Sequence, residues 1–127
     1  MSFQIEKLSA LPVVLLRFAP DFSFMQEGEV ALASAKDLLG VQTEAVFLVS
    51  DMQMPPPSFN ELMTAINLSA RQMALFKHPH VRGNVFISSN PMISIAAHGA
   101  NLPFFGALNI KVVKSMDEAL RYVENQL

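Results

Sequence analysis

The sequence predicts one α/β domain over residues 1–127: an N-terminal β-hairpin, then alternating helices and strands in the order β-β-α-β-α-β-α-β-α. Apolar runs of strand length recur at Val13–Phe18, 45–49, 85–87 and Ile110–Val113. Between them, serine- and asparagine-led starts introduce segments whose apolar residues repeat at helical spacing. An apolar fraction of 51% against 16% charged gives a chain of this length enough material for a core without covalent staples. One hairpin followed by alternation implies right-handed crossovers and a mostly parallel sheet covered by helices.

Phe3–Lys7 alternates apolar and polar, and Val13–Phe18 is aliphatic and β-branched, with Ser9-Ala10-Leu11-Pro12 as the turn of the opening hairpin. Ser23-Phe24-Met25-Gln26 then has the spacing of a capping box, and Phe24, Gly28, Ala31, Ala35 and Leu38 share one helical face of mostly small residues. Such a helix can lie close on a sheet. It is expected to run to Leu39, with Gly40 as a left-handed stop.

Residues 45–49 (Ala-Val-Phe-Leu-Val) carry no polar alternation, as expected of a mid-sheet strand covered on both faces. Asp51-Met52-Gln53-Met54-Pro55-Pro56-Pro57 reads as a stiff surface loop, because three prolines remove three amide donors. Ser58-Phe59-Asn60-Glu61 is a second capping box, opening a helix to about Lys77 with Phe59, Leu62, Met63, Ile66, Ala70 and Met73 on one face. His78-Pro79-His80 breaks that helix, and residues 81–89 supply the next strand. Asn90-Pro91 reads as a cap followed by proline at the first helical position of a short, broken helix over 91–105. Ile110–Val113 is the last strand. Ser115-Met116-Asp117-Glu118 caps a closing helix whose apolar set is Met116, Ala119, Leu120, Val123 and Leu127.

Composition narrows the function classes. The chain has no cysteine, so disulfides, thiolate metal sites and cysteine nucleophiles are excluded. No apolar run has the length of a membrane span, and the N-terminus lacks the pattern of a secretory signal, so a cytoplasmic protein is expected. The net charge of −2 divides into −5 over residues 1–63 and +3 over residues 64–127. That opposition, with the high apolar fraction, leads to the expectation of a closed two-fold homodimer. The basic residues Arg71, Lys77, Arg82, Lys111, Lys114 and Arg121 are scattered singly, which argues against a nucleic-acid partner.

Motifs that carry chemistry are sparse. Neither Gly-x-x-x-x-Gly-Lys-Ser/Thr nor Gly-x-Gly-x-x-Gly occurs, so these nucleotide cradles are excluded and no cofactor is expected. His78-x-His80 could place two imidazoles on one side of an extended segment with His98 completing a zinc site, but histidines at a proline-broken helix exit are more often exposed side chains, so no metal site is expected. The serines lack Gly-x-Ser-x-Gly, and Asp21 and Asp51 each stand alone at a strand end, which does not make an acid/base pair. The expectation is a protein that is not an enzyme. Ser50, Asp51, Met52, Met54, Ser58, Asn90 and Met92 are the candidate partner-binding residues, where strands are expected to deliver loops. Phe104 and Phe105, with Met92 and Ile95, suit an alternative: a small apolar-ligand or lipid carrier with a pocket between the helix at 91–105 and the sheet.

The order of elements resembles the STAS-type domain of bacterial anti-sigma-factor antagonists, particularly its SpoIIAA-like, lipid-binding-like relatives. The parts that carry the resemblance are the opening hairpin, the strand at 45–49 entering a loop and capped helix, and Ile110-Lys111-Val112-Val113-Lys114-Ser115-Met116-Asp117-Glu118-Ala119-Leu120. It implies a STAS-like fold and a regulatory role through a protein partner. Antagonists of the phospho-switch type carry an Asp-Ser-Ser-Gly-like turn before the helix that follows the third strand. Here that region reads Ser50-Asp51-Met52-Gln53-Met54-Pro55-Pro56-Pro57-Ser58, so the motif is absent. Ser58, at the equivalent helix start, is the one candidate phosphosite. A phosphate there would meet a helix N-terminus, but a structural cap accounts for a serine equally well.

Overall fold

A computed structural model of the chain describes residues 2–53, 79–89, 91 and 110–127. These residues hold five strands: β1 (Phe3–Lys7), β2 (Val13–Phe18), β3 (Val46–Met52), β4 (Val81–Ile87) and β5 (Ile110–Val113). They also hold two helices, α1 (Phe24–Gly40) and α2 (Met116–Gln126). The helices expected over 58–77 and 91–105 lie outside the described residues.

The strands form one mixed sheet in sequence order, β1-β2-β3-β4-β5. β1 is antiparallel to β2, and every other neighbouring pair is parallel. The fold is therefore α/β, with β3 mid-sheet as its unbroken apolar run requires.

The period of two along the strands builds two cores. Val14, Leu16 and Phe18 of β2 and Val46 and Leu48 of β3 pack under α1 through Ala31, Leu32, Ala35 and Leu39. On the other face Val13, Leu15, Phe47, Val49, Val85, Ile87 and Val113 pack with Ala119 and Val123 of α2. Alanines at the α1 contact let the helix sit close, as its small-residue face predicts.

The element ends differ from the sequence reading in ways with physical causes. β3 runs three residues beyond Val49, because Ser50, Asp51 and Met52 stay paired with Leu16, Arg17 and Phe18, and Gln53 N donates to Phe18 O at 3.0 Å. The loop expected from Asp51 is thus strand as far as Met52. Ser23 is the N-cap of α1, but its side chain makes no capping bond and Gln26 is exposed. Glu27 replaces the expected box: one carboxylate oxygen accepts from Ser23 N at 3.3 Å, and the other accepts from Ser2 Oγ.

At the other end Gly40 is the last helical residue and takes no left-handed conformation. The terminal carbonyls are met instead by the Gln42 side-chain amide, which donates to Leu38 O at 2.9 Å, and by His80 Nδ1, 2.8 Å from Leu39 O. A carbonyl only accepts, so His80 Nδ1 carries the proton. His80 is half-buried rather than an exposed helix-exit side chain. The Ser115 cap forms as expected, accepting from Glu118 N at 3.2 Å, while Glu118 Oε2 accepts from Lys114 N. Leu127, placed on the apolar face by periodicity, is exposed, and Tyr122 packs against the core instead.

Candidate binding edge at the carboxyl ends of the strands

The parallel strands β2 to β5 end at one edge of the sheet, the edge at which open α/β sheets place ligands. β3 delivers Ser50, Asp51 and Met52 there, and alternation separates them. Ser50 is 3% exposed, between Leu16 and Phe86 in register. Met52 points to the same side and packs half-buried against the α1-side core, beside its register partner Phe18. Its thioether fills the end of that core. Asp51 points to the opposite face and is half-buried.

Asp51 has two polar neighbours, Gln53 just past the end of β3 and Arg17 on β2. Gln53 Nε2 donates to its Oδ2 at 3.0 Å, fixing the carboxylate by a local bond two residues along the chain. Arg17, exposed, is its register partner on β2, so a guanidinium and a carboxylate occupy adjacent strands on one face. Across the same row of the sheet Gln4, Arg17 and Asp51 give way to Ile87 and Val113. Ile87 and Val113 are buried in the α2-side core, so the surface of this row is its polar half.

The N-terminus of α2 lies at the same edge, but its first turn carries Asp117 and Glu118 and its cap is filled by Ser115. Negative side chains there make it a poor site for an anion. Among the described residues no group of three His, Asp or Glu side chains is placed to hold a metal, and no helix is long and apolar enough to cross a membrane. One carboxylate and one guanidinium on neighbouring strands suit recognition of polar groups on a partner.

Of the other candidates, Met54, Ser58, Asn90, Met92, Phe104 and Phe105 lie outside the described residues, as do Ile95, His78 and His98. Arg17 was not singled out by sequence. Its signal was present, since it is the one charged residue in the apolar run Val13–Phe18, but its meaning depended on the register that sets it against Asp51. No family model, curated protein or solved structure matches the chain.

Proposed function

We propose that this chain is a non-enzymatic regulatory or interaction domain of STAS-like type, which binds a protein partner at the carboxyl edge of its sheet. The observation that carries the proposal is the Arg17–Asp51 pair on adjacent strands, with the carboxylate held by Gln53. Such a pair offers a partner charge complementarity, which gives an interface its specificity. The hairpin whose second strand enters the β2-α1-β3 crossover, with a serine-capped helix after the last strand, supports the STAS-like part of the reading. The absence of an Asp-Ser-Ser-Gly-like turn argues for a constitutive interaction rather than a kinase switch.

The test is quantitative affinity capture from the native cytosol with the parent, Arg17→Glu, Asp51→Lys and the control Lys36→Glu on the exposed face of α1. A partner retained by parent and control, and lost by both edge variants, is the expected result. Equal recovery by all four forms overturns the proposal. So does a stoichiometric small molecule co-purifying in native mass spectrometry, which would favour the apolar-ligand carrier.

A further inference from the structure

The sheet ends laterally in β1, next to β2, and the hydrogen bonds of the hairpin determine which backbone groups face outward. Ala19 N donates to Ser2 O at 2.8 Å and Leu8 N donates to Val13 O at 3.0 Å, so residues 2, 4, 6 and 8 turn their backbone groups toward β2. Phe3, Ile5 and Lys7 therefore aim their N–H and C=O groups away from the sheet. Among the described residues no strand lies beyond them.

Natural edges of this kind are usually blunted by a projecting lysine, a proline or a bulge. Here Lys7 is drawn aside, its ammonium donating to Leu8 O at 2.7 Å and Leu11 O at 3.0 Å. An open groove of about 560 Å³ follows the edge, lined by Phe3, Gln4, Ile5, Glu6 and Ser34. Glu27, bonded to Ser2, and Ser34, in the groove, fix which flank of α1 faces β1. One step further round that flank is Val30, 60% exposed, so apolar surface continues beside the open backbone.

We propose that the outer edge of β1 pairs antiparallel with β1 of a second copy, joining two five-stranded sheets about a two-fold axis. The polar residues of the strand select this occupant and its register. Centred on Ile5, the pairing sets Ile5 against Ile5, Phe3 against Lys7 and Gln4 against Glu6, and every outward N–H and C=O of the three odd residues finds a partner. Each exposed Glu6 carboxylate then accepts from a Gln4 amide on the other copy. Shifting the pair by one step toward Lys7 would oppose Glu6 to Glu6, and shifting it the other way would leave Lys7 unpaired. Like charges directly opposite are destabilising, so the central register is selected. Because paired residues share a face, both copies of α1 lie on one side of the joined sheet, with Val30 of each flanking the seam.

Sedimentation equilibrium of the full chain tests the proposal. The parent is expected to be a dimer, twice the 14.0 kDa chain, at a concentration on the order of 100 μM. Gln4→Glu places a carboxylate opposite Glu6 twice per dimer yet beside Arg17 within its own sheet, so it keeps the fold and weakens the dimer by roughly tenfold. The chain has no cysteine, so a Gln4→Cys/Glu6→Cys double variant can cross-link only at the introduced sites, and oxidation is expected to trap a covalent dimer. A parent that sediments only as monomer overturns the proposal, as does a dimer that Gln4→Glu leaves unchanged.

Discussion

The Phe47 ring occupies the space that a Cβ on Gly83 would need: its Cε1 and Cδ1 atoms lie 2.7 and 2.8 Å from that position. The contact is set by an irregularity in the ladder. Val46 pairs with Val81 and Phe47 pairs with Gly83, so Arg82 has no partner in β3 and is pushed out of register. Its guanidinium then lies over the Phe47 ring, 5.1 Å from the centroid, and donates to Gln126 O at 3.3 Å. Tyr122 meets the same ring edge-on at 6.2 Å. One aromatic side chain thus joins β3, β4 and the last turns of α2.

Gly83→Ala is expected to destabilise the protein by about 1–3 kcal/mol, since the ring is buried between strand and helix and has little room to yield. Urea unfolding measures it. A midpoint equal to that of the parent would show that the ring moves freely, contrary to the packing described.

Arg82 is exposed, so its attraction to Phe47 is modest. Arg82→Ala should cost about 0.5–1 kcal/mol, from the cation–π contact and the bond to the end of α2. A double-mutant cycle with Phe47→Leu isolates the pair, and the expected coupling is of that same size. Additive costs would mean that Arg82 acts on the helix end alone.

These two sites show where sequence reading stops. The hairpin and Ile110–Val113 were legible to the residue, because alternation and β-branched runs are local signals read directly from the period. The Ser115 cap was legible for the same reason, since its partner is three residues away. The displacement of Arg82, the end of β3 at Met52 and the pairing of Arg17 with Asp51 depend on registers between distant strands, and no local pattern encodes them. In the candidate site two of the three residues at the end of β3, Ser50 and Met52, face inward, which follows only once the extent and register of β3 are known.

His80 closes α1 from 41 residues away in sequence. His80→Ala leaves Leu39 O with the backbone amides of Val41 and Gln42, the latter at 3.2 Å, and the cost should be about 0.5–1.5 kcal/mol. Hydrogen exchange gives the local readout: amides in the last turn of α1 should exchange faster, and those of α2 should be unaffected. Unchanged protection in α1 would remove the capping role.

The two serines that begin the described helices should respond oppositely to the same substitution. Ser115 accepts a bond from Glu118 N, so Ser115→Ala removes a working cap and should cost about 0.5–2 kcal/mol. Ser23 makes no such bond, so Ser23→Ala should change stability by less than about 0.5 kcal/mol. The burden at α1 falls on Glu27, which satisfies Ser23 N and Ser2 Oγ and places a negative charge in the first turn. Glu27→Ala should therefore cost about 1–2 kcal/mol, because it removes two bonds and the favourable charge at the helix N-terminus. Thermal unfolding of the three variants under one buffer decides the matter: the expected order of loss places Ser115→Ala and Glu27→Ala together, well above Ser23→Ala. If Ser23→Ala proved as costly as Ser115→Ala, the ordinary serine cap would operate at both helices and the assignment of that role to Glu27 would fail.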